Sequence, residues 1–263
     1  MRRVIPLLLS LVLAGGGFRA APAISAVMAF AAPASGSDTA RVHLGPPSGG
    51  TDAFVAWPAG RGPATAIIVI HEWWGLNRQI RGVARRLAQE GYVAIVPDLY
   101  HGQVADDAEF AHELSRGLDE DRALAELEAA AGWLRAQPRV NRARIGVVGF
   151  CMGGRLSQLL ALRSPALSAA VMFYGSPVTD PGKLAALKVP LQGHFGGTDR
   201  GIGADQVEAL RAGLDAAGKT GLIYVYPGAG HAFMHEGRPS YHPDAARLAW
   251  ARTLQFLQKH LKG

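Results

Sequence analysis

RIGVVGFCMGGRLSQLLALR, residues 144–163, passes from one kind of secondary structure to another within six residues. Its first part is apolar and rich in β-branched residues, the pattern of a strand buried on both faces. Its last part, RLSQLLALR, carries leucines at helical spacing. Between them Gly149 and Gly153 stand two residues before and two residues after Cys151. A turn running directly from strand to helix crowds side chains at those two positions, and glycine relieves the crowding. Cys151 is the only cysteine in the 263 residues, so it has no internal disulfide partner. At the start of a helix, the backbone field favours a thiolate over a thiol. The competing reading is a buried structural cysteine in a glycine-rich turn. A phosphate loop is disfavoured, because neither G-x-G-x-x-G nor the P-loop pattern is matched.

The same alternation extends in both directions. ATAIIVI (64–70), YVAIVPDLY (92–100), LSAAVMFYG (167–175), VPLQGHFGG (189–197) and GLIYVYPG (221–228) read as strands. Helical patterns fill 77–91, 204–218 and 242–261, with Asn77 as N-cap and Gly91 as stop for the first. Residues 106–137 read as two helices broken at Gly117. Arg41–Leu44 and Ala53–Trp57 flank a Pro/Gly/Ser turn and predict an N-terminal β-hairpin. Strands alternating with helices imply an α/β fold, with a mostly parallel central sheet and helices on both faces. The expected organisation is one domain over 41–263, preceded by a signal peptide (1–31) and a flexible lead-in (32–40). Met1-Arg2-Arg3, the apolar stretch after it and Ala29-Phe30-Ala31 supply the three parts of such a leader. The mature chain is then expected to be secreted or periplasmic and monomeric, with no attachment to a membrane.

Apolar residues make up 49% of the chain and charged residues 18%, a globular composition. The leader holds Arg2, Arg3 and Arg19 and no acid, so its removal takes the net charge from +6 to +3. The remaining basic residues are scattered rather than clustered, which argues against a nucleic-acid partner.

Ligands of open parallel sheets bind beyond the carboxyl ends of the strands. Glu72, Cys151, Asp199 and His231 each follow a predicted strand at that edge. G-x-C-x-G is a nucleophile elbow with sulfur in place of oxygen, and the chain order nucleophile, acid, histidine suits it. The Met152 N–H would point at an oxyanion formed on a substrate. His231 suits a general base, and Asp199 suits the group that fixes its tautomer. Trp73 and Trp74 suggest an apolar substrate near the entrance, or else packing. Glu72 beside the thiol would disfavour thiolate by like charge; the alternative is a salt bridge to Arg78 or Arg81. No metal cluster is visible, because Gly75 occupies the position where H-E-x-x-H needs its second histidine.

HEWWG, GFCMGG, GGTD and GAGHAF together resemble the dienelactone hydrolase family of α/β-hydrolases over residues 40–262. The resemblance implies the α/β-hydrolase fold and a hydrolase that opens a small-molecule lactone or cleaves an ester through a cysteine thioester, without a cofactor. It implies a Cys151–His231–Asp199 triad, Glu72 facing the thiol, and backbone N–H groups of Trp73 and Met152 as an oxyanion hole. Tyr174, Trp74, His235, Arg238 and Phe233 are the candidate substrate-binding residues. One departure affects the substrate: His235 stands where the family carries an arginine that holds a carboxylate. Arg238 is a candidate replacement, and Arg116 and Arg122 are candidates for a second clamp. An amidotransferase reading lacks its His-x-Glu, since His231-Ala232-Phe233 has no glutamate. A catalytically inactive exported binding protein of the same fold is the alternative from a different class.

Overall fold

The structure is a computed structural model that describes residues 38–45, 49–60 and 62–263. The signal peptide, and the lead-in as far as residue 37, lie outside the described residues. Eight strands form one sheet: β1 (Asp38–Leu44), β2 (Thr51–Trp57), β3 (Ala64–Ile70), β4 (Val93–Pro97), β5 (Val140–Phe150), β6 (Ala169–Phe173), β7 (Leu191–Gly196) and β8 (Gly221–Tyr226), in spatial order 1-2-4-3-5-6-7-8. β1 and β2 form the expected hairpin, and β2 pairs antiparallel with β4. Every pairing from β4 through β8 is parallel. The hairpin is longer than its sequence suggests. Asp38–Ala40, expected as flexible lead-in, pair with Ala56–Trp57 and Val55, so backbone hydrogen bonding overrides a polar composition.

Among the described residues, seven α-helices accompany the strands: α1 (Arg78–Gln89), α2 (Ala108–Gly117), α3 (Glu120–Ala136), α4 (Met152–Arg163), α5 (Pro181–Leu184), α6 (Ala204–Ala216) and, after the last strand, α7 (Pro243–Leu257), which runs into a π-helical turn at Gln258–Lys262. Asn77 caps α1 by accepting from the Ile80 N–H at 3.1 Å. The break between α2 and α3 follows Gly117 and is completed by the Asp119 cap, whose carboxylate accepts from the Arg122 N–H.

The two-residue repeat of β3 divides the core into two layers. Ala66, Ile68 and Ile70 face a layer built from α3, α4 and α6, while Ile67 and Val69 face one built from α1 and α7. Both layers are apolar, so β3 and β4 have no solvent face, and their sequences are continuous apolar runs rather than alternating ones. β4 is shorter than YVAIVPDLY: it stops at Pro97. Beyond it Asp98 closes a turn, with Oδ1 accepting from the Tyr100 N–H at 3.3 Å and Oδ2 from the Gly102 N–H at 2.9 Å. The parallel strands bring the carboxyl ends of β3, β5, β6, β7 and β8 side by side along one edge.

Candidate active site

Cys151 occupies the junction of β5 and α4 with φ 53° and ψ −116°, a conformation costly for any residue with a side chain. The elbow is held from both sides. The Cys151 N–H donates to the Phe173 carbonyl at 3.0 Å, and its own carbonyl accepts from Gly154 at 2.9 Å and Arg155 at 3.2 Å. A Cβ at Gly149 would run into the Gly153 carbonyl, and one at Gly153 would lie 2.5 Å from the Ile70 carbonyl oxygen. The glycines therefore do more than loosen a turn: they let the start of α4 press against the end of β3. The thiol is left partly exposed at the amino end of the helix.

The loops after β7 and β8 are joined by hydrogen bonds from Gly197 N–H to the Tyr226 carbonyl (2.8 Å) and from Thr198 N–H to the Ala229 carbonyl (2.9 Å). That junction sets Asp199 and His231 in one line with the thiol. His231 Nε2 lies 3.1 Å from Cys151 Sγ, and His231 Nδ1 donates to Asp199 Oδ2 at 2.7 Å. The other carboxylate oxygen of Asp199 accepts from Gly201 N–H (2.8 Å) and Ile202 N–H (3.1 Å). Burial opposes ionisation of Asp199, but the hydrogen bonds from His231 and these two amides outweigh it and hold the carboxyl below its ordinary range. Burial likewise opposes charge on His231; hydrogen bonds to Asp199 and Cys151, and their charges, push its pKa up to about 10. The line of groups can thus hold a proton on the imidazole near neutral pH.

Glu72 is 3% exposed, and the alternative of a salt bridge to Arg78 or Arg81 is not formed among the described residues. The Tyr174 hydroxyl donates to Glu72 Oε1 at 3.1 Å, and His235 Nε2 stands 3.7 Å from Oε2. The hydrogen-bond partner of Glu72 among the described residues is thus Tyr174, whereas that of the thiol is His231. Burial pushes the Glu72 carboxyl up to about 7, against the Tyr174 hydrogen bond and the charges of His231 and Arg238.

The expected substrate residues divide. Tyr174 and Phe233 are fully buried, and Trp74 is 6% exposed. The Tyr174 ring packs against Phe150, Phe233 and His231, so Tyr174 and Phe233 support the site from behind instead of facing a ligand. Trp74 packs with Ala105 and Ala111 and is covered by the Arg238 guanidinium, 3.6 Å from its ring centroid. Trp73 is the more open of the two tryptophans, with its ring edge-on to His112 of α2 at 4.5 Å. His235 is buried, and burial together with Arg238 pushes its pKa below the ordinary value. It is therefore a neutral group near pH 7 and a poor stand-in for an arginine. Of the cations considered for a clamp, Arg122 lies 3.8 Å from Glu126, Arg116 sits in the last turn of α2, and Arg238 lies over Trp74. Trp73 and Met152 N–H groups have no protein acceptor among the described residues.

Two participants escaped the sequence reading. Tyr100 donates from its hydroxyl to Met152 Sδ at 3.3 Å, and His71 lies fully buried beside Glu72. Tyr100 gave no signal, because it looked like the end of a strand. His71 had one, since a histidine ending a wholly apolar strand requires partners. Among the described residues no group of three or more His, Cys, Asp and Glu side chains could hold a metal ion, and no helix is long and apolar enough to cross a membrane.

The raised pKa of Glu72 makes a stability prediction. Its folded value lies above the ordinary 4.5, so between about pH 4.5 and 7 the folded state binds the extra proton. Stability is then lost as pH rises through that window, because ionising the buried carboxyl is costly. Glu72→Gln should leave thermal stability near wild type at pH 4 and raise it above pH 7, by on the order of 3 kcal/mol. A melting-temperature difference that is flat with pH would show that the carboxyl is not destabilised by burial.

Comparison with known proteins places the chain in a family. The family model for the dienelactone hydrolase family matches residues 51–261. A Methylorubrum extorquens protein, provisionally named a carboxymethylenebutenolidase, is 33% identical over 94% of this chain and 90% of its own length. An Escherichia coli K12 protein with the same provisional name is 38% identical over 76% of this chain and 78% of its own. A Bradyrhizobium protein, provisionally named a 2-oxo-3-(5-oxofuran-2-ylidene)propanoate lactonase, is 33% identical over 80% of this chain and 90% of its own. A Klebsiella pneumoniae crystal structure, provisionally described as a dienelactone hydrolase, superposes with TM-score 0.79 at 34% identity, covering 85% of this chain and 99% of the other. With an eight-stranded sheet of the same kind and a family match spanning most of its length, the chain belongs to the dienelactone hydrolase family and is a hydrolase of that family.

Proposed function

We propose that the protein hydrolyses lactones or carboxylic esters through a thioester on Cys151. The observation that carries this reading is the unbroken relay of thiol, imidazole and carboxylate at 3.1 Å and 2.7 Å, set on a strained elbow. The Cys151 sulfur, as thiolate, attacks the substrate carbonyl carbon, and the C=O electron pair moves onto oxygen. The N–H groups of Met152 and Trp73 receive that oxyanion. Collapse reforms the C=O and breaks the C–O bond, and protonated His231 gives its proton to the departing alkoxide. In a lactone, the alkoxide stays tethered to the acyl group. A water molecule then loses a proton to His231 and attacks the thioester carbonyl. The carboxylic acid leaves, Cys151 is regenerated, and the proton is back on the relay. Asp199 holds His231 in the tautomer that points Nε2 at sulfur and stabilises its charged form.

This reading makes the sulfur indispensable. Cys151→Ala should lower kcat for a chromogenic ester by at least about 10³-fold without unfolding the protein. Cys151→Ser should also fall far below wild type, since the relay is set for a thiol and a hydroxyl has a much higher pKa. Wild-type turnover in Cys151→Ala would remove the cysteine from the mechanism.

The Bradyrhizobium relative is named for a lactone that bears a carboxylate. In this chain the cation offered to such a group is Arg238, braced on Trp74. A charge-assisted contact of about 1.5–3 kcal/mol implies that Arg238→Gln raises KM for a carboxylate-bearing lactone about 10-fold or more. KM for a neutral lactone should change little. An equal rise for both would mean that Arg238 supports the site without reading the substrate charge.

A further inference from the structure

His71 is completely buried, yet both of its ring nitrogens have partners. Nδ1 lies 2.6 Å from the Glu72 carbonyl oxygen, and Nε2 lies 3.3 Å from the Leu99 backbone nitrogen. A carbonyl oxygen can only accept and a backbone N–H can only donate. The ring is therefore neutral, with its proton on Nδ1, and burial pushes its pKa in the same direction. The Glu72 carbonyl also accepts from the Gly75 N–H at 3.1 Å, across a turn that Gly75 closes with φ +85°.

The Glu72 carbonyl and the Trp73 N–H belong to one peptide group. That group is planar and trans, so its C=O and N–H point in opposite directions and can only turn together. Two donors on the carbonyl thus fix the direction of an N–H that has no protein acceptor of its own. The elbow is close by: a Cβ on Gly153, the residue after Met152, would meet the His71 carbonyl oxygen at 2.6 Å. The bond to Leu99 continues the brace into the loop after β4. In that loop Tyr100 packs its ring against His71 at 5.0 Å and reaches Met152 Sδ with its hydroxyl.

From this we infer that His71 is a positioning residue for the reaction: it pins the Glu72–Trp73 peptide so that the Trp73 N–H faces the oxyanion. The inference rests on the proposed thioester mechanism. Without His71 the turn bond from Gly75 is the remaining restraint, and the peptide can rotate its N–H out of the site. The demand falls on the transition state, where charge develops on oxygen, and not on the resting thiol or on ground-state binding.

The test compares His71→Leu, His71→Asn and His71→Gln, measuring kcat and KM for a chromogenic ester and the rate at which iodoacetamide alkylates Cys151. Alkylation at sulfur forms no oxyanion and so reports the thiol and His231 alone. Asparagine places its amide NH2 where Nδ1 stood and can still donate to the Glu72 carbonyl; glutamine places its amide where Nε2 stood, beside the Leu99 N–H, and leucine has no donor. His71→Leu and His71→Gln should lose about 10²- to 10³-fold in kcat with nearly unchanged KM and alkylation rate. His71→Asn should keep most of the wild-type kcat. If the leucine variant does not fold, the asparagine and glutamine variants decide the matter, since both place an amide in the same pocket. Unchanged kcat in the glutamine variant, a loss in the asparagine variant as large as in the glutamine one, or parallel loss of kcat and alkylation would overturn the assignment. Wild-type enzyme that keeps full activity after Cys151 is alkylated would instead refute the thioester mechanism itself.

Discussion

The positive φ of Cys151 is the constraint on which the site depends. It turns the chain from β5 into α4 within one residue and leaves the sulfur standing off the sheet edge. The conformation costs of order 1–3 kcal/mol, so the surroundings must impose it. They do so through contact with three strand ends: Phe173 of β6 binds the Cys151 amide, Ile70 of β3 lies against Gly153, and Gly149 of β5 lies under the same turn. The last two contacts require that positions 153 and 149 carry no side chain. The elbow is therefore held jointly by β3, β5 and β6, and the reactive geometry depends on their register.

Around that elbow the protein sets two carboxyls in opposite conditions. Asp199 receives three hydrogen bonds, one from His231 and two from backbone amides, and stays ionised below its ordinary range. Glu72 receives one hydrogen bond, from Tyr174, and burial lifts it to about 7. Environments that push two acids apart assign them different tasks. Asp199 is suited to stabilise charge on His231. Glu72 is suited to change its own charge near neutral pH, on the residue whose carbonyl His71 holds. Tyr174 links the two halves, because its hydroxyl bonds Glu72 while its ring packs on His231.

Much of this was legible in the sequence, for identifiable reasons. The strands were visible because burial on both faces leaves continuous apolar runs, as in ATAIIVI. The elbow was visible because steric exclusion allows only glycine at 149 and 153. The relay could be inferred because Asp199 and His231 follow strands that end at one edge. What the sequence concealed depends on distance in space. Tyr174 and Phe233 look like candidates to face a ligand, and only packing shows them behind the site. Glu72 gives no sign in the sequence of its hydrogen-bond partner, Tyr174, which lies 102 positions away. His235 stands where an arginine was expected, and only its surroundings show that burial pushes its pKa below the ordinary value. The pairing of Asp38–Ala40 was hidden because a polar edge strand has no apolar signature.

The central claim is that the acyl group resides on sulfur during turnover. The direct measurement is to mix the enzyme with a slowly deacylated chromogenic ester, quench in acid, and determine intact mass and the modified peptide. The account predicts one acyl group per chain, located on the peptide containing Cys151 and released by neutral hydroxylamine, as a thioester is. It also predicts a burst of chromophore equal to the enzyme concentration. An active enzyme that shows no burst and no adduct on its slowest substrates, or an acyl group on another residue, would contradict it.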